Sequence, residues 1–132
     1  MAAPLFRLVC VPSALDGAPA GWAAEMLVDG DVALQPDSSG LGGIDSVAHA
    51  LGVAAVPVMR SEPSDSRRDA TVKDHAGSLP LVWLAPGFSD DVRTWAHDRG
   101  PMTLLVDVDG PLSEDDRRRI ERFVALLGRQ AE

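Results

Sequence analysis

An apolar run, a capped helix, a second apolar run and a second capped helix follow one another over residues 79–128. That order constrains the chain more than any other feature it has. "LPLVWLAP" (79–86) has the length of a buried strand and is too short for a core helix. "FSDDVRTWAHDRG" (88–100) carries helix signals at both ends: Ser89 is a good N-cap, Asp90 and Asp91 suit the positive end of the helix dipole, Arg99 suits the negative end, and Gly100 fits the stop. Val92, Trp95 and Ala96 form its apolar stripe. "MTLLVDV" (102–108) is another strand. "SEDDRRRIERFVALLG" (113–128) repeats the helix pattern, with Ser113 as cap, Ile120, Phe123, Val124 and Leu127 on one face, and Gly128 at the end. Strand–helix–strand–helix with short connections predicts a parallel strand pair with the helix crossing between them.

The first half is less regular. "LFRLVCV" (5–11) is a short apolar run ended by Pro12-Ser13, a strand, and "DVALQPD" (31–37) reads as a strand after the Asp29-Gly30 turn. Between them Trp22, Met26 and Leu27 share one helix face, while Gly17, Pro19 and Gly21 weaken its start. "SSGLGG" is a loop. "VAAVPVM" (53–59) is a strand that Pro57 assigns to an edge or a bulge. The polar stretch 60–69 predicts a mobile loop, and "ATVKDHAGSL" a short helix. No internal repeat or dividing linker is visible, so the 132 residues form one domain, long enough to bury a core without disulfides or metals.

Charge and cysteine content exclude several functions. The net charge is −8, which disfavours direct contact with a nucleic-acid backbone, although Arg67, Arg68 and Lys73 cluster, as do Arg117, Arg118 and Arg119. The single cysteine, Cys10, lies in an apolar run and reads as a small buried hydrophobe, with no disulfide and no thiolate zinc site. No leader pattern and no run long enough for a membrane span are visible, so a cytoplasmic location is expected, and the richness in Ala, Gly, Asp and Arg is that of high-GC bacterial coding.

Most short motifs reduce to ordinary structure. Asp107 and Asp109 follow an apolar strand as in haloacid dehalogenase-type phosphatases, but one helix alone follows them, and Asp109-Gly110 reads as a turn. "WLAPGFSDD" is similar to an early loop of α/β-hydrolases, yet the chain has no G-x-S-x-G elbow. "DSSGLGG" is neither a phosphate-binding P-loop nor a dinucleotide fingerprint. His49, His75 and His97 show no metal spacing and read as surface or helix-end residues.

One ordered set remains: "GGID" (42–45), "VAAVPVMRS", a polar loop, "ATVKDHAGSLP", "LVWLAPGFSDDVRTWAHDRG" and "MTLLVDVDGPL". In order and spacing it resembles the catalytic domain of Mrr-type restriction endonucleases, of the PD-(D/E)xK nuclease fold. The resemblance covers roughly residues 22–112. It implies that Asp45 is the metal-binding Asp, that Glu25 is an extra acid on the first helix, and that Gly87, Phe88 and Ser89 open the later helix. The family's Q/E-x-K position falls on "PVMRS", where Pro57 and Met59 or Val58 and Arg60 supply neither the full acid or amide nor the Lys. Arg60 can stabilise phosphate charge but has too high a pKa for proton transfer. One Asp alone holds a hard divalent cation poorly. The resemblance therefore implies a catalytically degenerate copy with no resident cofactor, or Mg²⁺ if it is active.

Residues 41–59 have two geometries. In the nuclease-like one, 46–50 and 53–59 are adjacent strands turning at Leu51-Gly52, and Asp45 projects from the first. In the other, Ile44, Val47, Ala48 and Leu51 recur at helical spacing and Gly52 stops the helix. Both lead to one fold class: an α/β, single three-layer domain, a mixed or parallel sheet with helices on both faces. Three functions follow. The first is a degenerate restriction-endonuclease-like module that binds a protein partner or its own copy in a defence or DNA-processing system, as the acidic surface favours. The second is a divergent metal-dependent nuclease using Asp45, Glu25 and Arg60, with Asp37 as a substitute ligand. The third is a Rossmann-like small-molecule binder with its site at the strand ends near Pro12, Gly40 and 86–89.

Overall fold

A computed structural model describes residues 4–37 and 40–131. Four strands form one parallel sheet: β1 (Phe6–Cys10), β2 (Gly30–Leu34), β3 (Leu81–Ala85) and β4 (Thr103–Asp107), in the order β2-β1-β3-β4. Five α-helices connect them: α1 (Trp22–Met26), α2 (Gly40–Leu51), α3 (Asp65–Ala76), α4 (Asp90–Arg99) and α5 (Glu114–Ala131). The expected α/β class is what the chain adopts, and the sheet is parallel throughout.

The strand alternation sorts the core into two layers. Phe6, Leu8 and Cys10 of β1, Val32 and Leu34 of β2, Val82 and Leu84 of β3, and Val106 of β4 pack on one face. They meet α1, α2 and α5 through Ala23, Val47, Ala48 and Ile120. The other face carries Val9, Leu81, Trp83 and Ala85, covered by Val72 and Ala76 of α3 and Val92 of α4. Consecutive side chains on a strand point to opposite faces, so strands coated on both sides read as continuous apolar runs, as 79–86 does.

The helix caps act as the sequence implies. Ser89 Oγ accepts from the Val92 N–H at 3.2 Å, and Gly100 takes the positive φ of 68° that ends α4. Ser113 Oγ accepts from the Asp116 N–H at 3.1 Å. Gly128, expected as the stop of α5, lies inside it, since one glycine in a helix interior costs about 1 kcal/mol and does not by itself end a helix.

Four further expectations are corrected. Residues 40–43 of "SSGLGG", expected as loop, form the first turn of α2. Residues 46–50 are not a hairpin strand: they lie within α2, whose buried Val47 and Ala48 face the core. The segment 53–59 forms no full strand. Val58 makes one parallel bridge to Leu34 on the outer edge of β2, with Leu34 N–H donating to the Pro57 carbonyl and Met59 N–H to the Leu34 carbonyl. Pro57 cannot donate to a ladder, which fits its place on an edge. The polar stretch 60–69 is loop only as far as Ser64. Ser64 Oγ caps α3 by accepting from Arg67 N–H, and Asp65 pairs with Arg68 one turn on. The helix is polar because Asp69, Val72 and Ala76 are the residues it buries.

Cys10 is fully buried, and burial, reinforced by the charge of Asp37, pushes its thiol up to about 12. A native thiol that keeps its proton above the unfolded value near 9.0 makes stability fall as pH rises from about 9 towards 12. The chain has no Tyr and a single lysine, Lys73, so few other side chains titrate there. Urea unfolding measured between pH 8 and 11 is expected to show declining stability for the native chain and a flatter profile for Cys10→Ala. Equal slopes would contradict the burial.

Candidate functional site

In the order β2-β1-β3-β4 the chain leaves β1 to one side for β2 and to the other for β3. Open parallel sheets place ligands outside the carboxyl ends of their strands at such a reversal. Three groups of polar residues gather at this end.

Directly beyond β1, little space is left. Pro12, Ala14 and Leu15 form a buried 3-10 turn whose Ser13 N–H donates to Asp37 Oδ2 at 3.2 Å, and the Leu112 N–H closes on the Ala14 carbonyl. Beyond β3, the Gly87 N–H donates to Asp107 Oδ1 at 2.9 Å, and Ser89 Oγ donates to the buried Asp69 of α3 at 3.1 Å. These contacts tie α3, α4 and β4 together.

The third group lines a cleft of about 180 Å³ beside the end of β2. Gln35, the residue after β2, forms part of its wall and is 5% exposed. Its N–H donates to the Cys10 carbonyl at 2.8 Å, which locks the backbone to β1. Its Oε1 accepts from Trp83 Nε1 at 2.9 Å across the buried face of the sheet. An indole N–H can only donate, so the amide oxygen must face Trp83 and the NH₂ must face away. That Nε2 is buried and has no hydrogen-bond partner among the described residues. Phe88 packs edge-on against Trp83, with ring centroids 5.2 Å apart, and helps hold the indole.

The segment after the Val58 bridge and the first turns of α3 line the rest. Pro36 and Met59 are its apolar elements, and Arg60, Ser61, Glu62, Arg68 and Thr71 its polar ones. The Glu62 side chain is only 8% exposed, and its Oε1 accepts from Thr71 Oγ1 at 3.1 Å and from Arg60 Nε at 3.2 Å. Both bonds fall on Oε1. The side chains of Arg60 and Arg68 are 83% and 47% exposed and stand at the rim. Arg68 also lies 3.8 Å from Asp69.

Of the residues singled out from sequence, the structure brings Arg60 into this cleft. Asp45 is exposed on α2 and Glu25 is exposed on α1, and neither lines it. Asp37 serves the turn after β1. Among the described residues no three His, Cys, Asp or Glu side chains are grouped to hold a metal ion, so the ligand set implied by the nuclease resemblance is not assembled. Of the strand-end positions, Pro12 is buried, and Gly40 starts α2. The cleft lies at the strands' carboxyl end, as expected, but beside β2 and not at Pro12, Gly40 or 86–89. Sequence reasoning missed Gln35, Glu62 and Thr71. The available signal was Gln35 itself, the one amide side chain at the end of an otherwise apolar strand.

No helix among the described residues is long and apolar enough to cross a membrane. Comparison with family models, with curated proteins and with solved structures gave no match.

Proposed function

We propose that this domain binds a small molecule, and that the ligand enters the cleft beside β2. The observation that carries the proposal is the Gln35 amide. A buried N–H donor without a partner costs about 1–3 kcal/mol, and a ligand acceptor in the cleft would recover that cost. The position also suits the class of fold, since the cleft opens at the carboxyl ends of parallel strands.

The test is a thermal-shift panel of nucleotides, amino acids, 2-oxo acids and sugar phosphates on the native chain, Gln35→Leu and Arg60→Ala. At least one compound is expected to raise the melting temperature of the native chain and to lose most of that effect in Gln35→Leu. Arg60→Ala changes an exposed residue, so it keeps the experiment readable if the Gln35 variant is itself unstable. If every stabilising compound works equally on all three proteins, the cleft is not the binding site.

A second reading, a restriction-endonuclease-like module without catalysis, is favoured by one observation. β3, the Gly87-Phe88-Ser89 opening of α4, and β4 follow one another in the order the resemblance requires. It predicts that purified protein with Mg²⁺ or Mn²⁺ nicks plasmid DNA no faster than Asp45→Ala does. Cleavage lost in Asp45→Ala would overturn it and restore the active nuclease.

A further inference from the structure

The polar groups of the cleft are graded by depth. We propose that its ligand is a nucleoside monophosphate, with the edge of the base inside and the phosphate at the rim. The inference rests on the cleft being a ligand site and adds the chemical class of what it takes.

The inner wall offers one donor and one acceptor. The donor is Nε2 of Gln35, a residue of the cleft wall; it is buried and has no hydrogen-bond partner among the described residues. The acceptor is the Glu62 carboxylate, only 8% exposed, with both of its protein bonds on Oε1 and Oε2 bearing neither. A ligand that satisfies both must carry an acceptor and an N–H or O–H donor of its own, and the hydrogen-bonding edge of a nucleobase presents such a pair side by side. Pro36 and Met59 supply apolar contact for the faces of a flat ring. The cations are further out. Arg60 engages Glu62 through Nε, its two terminal nitrogens meet no partner among the described residues, and its side chain is 83% exposed. Arg68, 47% exposed, is already paired with Asp65 at 3.5 Å and Asp69 at 3.8 Å, so Arg60 is the main phosphate partner. Guanidinium groups at a rim bind phosphate in paired hydrogen bonds while its remaining charge stays in water.

Glu62 already holds Arg60 Nε at 3.2 Å, so its charge is partly met within the protein and its free side suits a neutral donor rather than the ammonium of a free amino acid. The ligand the gradient fits is neutral and polar at one end and anionic at the other. The volume of about 180 Å³ suits one base with its sugar phosphate projecting outward.

Calorimetric titration of the intact chain tests this with adenosine, guanosine, cytidine and uridine 5′-monophosphates, the four nucleosides, ribose 5-phosphate and inorganic phosphate. At least one monophosphate is expected to bind about tenfold more tightly than its nucleoside, the worth of one charge-assisted contact. Ribose 5-phosphate should bind no better than inorganic phosphate. Arg60→Ala should bring the monophosphate down to its nucleoside, and Glu62→Gln should weaken both equally. The Arg60→Ala arm does not depend on the fold, because that residue is exposed. Ribose 5-phosphate binding as tightly as the best monophosphate would overturn the inference, since the rim alone would then be the site. Binding of amino acids or 2-oxo acids without nucleotides, lost in Gln35→Leu, would overturn it and leave the cleft a ligand site. No compound sensitive to Gln35→Leu would overturn both.

Discussion

Trp83→Ala is expected to remove about 3–5 kcal/mol of stability, the range for deleting a large buried aromatic. Domains of this kind have a total of about 5–15 kcal/mol, so the variant should be marginally folded at room temperature. Trp83 is the largest fully buried side chain and the centre of the layer under α3 and α4. Its loss opens a cavity against Val9 and Val72 and leaves both polar atoms of the Gln35 side chain without partners. Trp83→Phe separates the two effects: it retains most of the ring and removes the N–H, and should cost about 1–3 kcal/mol, the price of an orphaned buried acceptor. Urea denaturation of the three proteins checks this. Trp83→Ala within about 1 kcal/mol of the native chain would mean that the layer does not depend on the indole.

Gly30→Ala is expected to cost about 1–3 kcal/mol, far more than a glycine-to-alanine change in a strand ordinarily does. A Cβ at position 30 would lie 2.5 Å from Phe6 Cζ and 2.6 Å from Phe6 Cε2. Phe6 is fully buried and pairs in register with Gly30 across β1 and β2, so its ring covers the space that the glycine leaves. The ring cannot swing into solvent, and relief must come from separating two strands at the core. Phe6→Leu is expected to recover part of the loss in the double variant, with a coupling of about 0.5–3 kcal/mol, as contacting positions show. Strictly additive effects would show that the two residues do not share the space.

The Gly30 case also shows what a sequence hides. Asp29-Gly30 reads locally as a turn before a strand, and it does open β2, but the reason for a glycine is an aromatic ring on the neighbouring strand. Signals written within one element were legible. The apolar runs of β1, β3 and β4 and the caps of α4 and α5 all announce themselves locally. α3 was half visible because its first turn, "DSRR", looks like loop until Ser64 is seen capping it. α2 stayed ambiguous between strand and helix because glycines at 42 and 43 weaken both patterns. The cleft was least legible. Gln35 meets Trp83 across 48 positions of sequence, and Glu62 meets Thr71 across nine, so no local pattern joins them. Arg60 was singled out for a catalytic position and is found in the cleft for a different reason, its bond to Glu62.

β1 lies in the interior of the sheet but comes first among the strands. During synthesis it can pair with β2 soon after both leave the ribosome, while its other edge stays open until β3, aligned from Arg7↔Leu81 to Cys10↔Leu84, has been made. Through that interval the growing chain presents an unpaired strand edge with four apolar residues out of five, the kind of surface on which chains join one another. The one charge in that strand is Arg7, which ends beside Asp31 and the carboxyl end of α3 once folding is complete. Before then it is the one charged side chain on that edge, the kind of residue that disfavours edge-to-edge pairing. Closing that edge falls to β3, which pairs in register with β4 and belongs to β3–α4–β4–α5, a unit whose contacts are between neighbours in sequence.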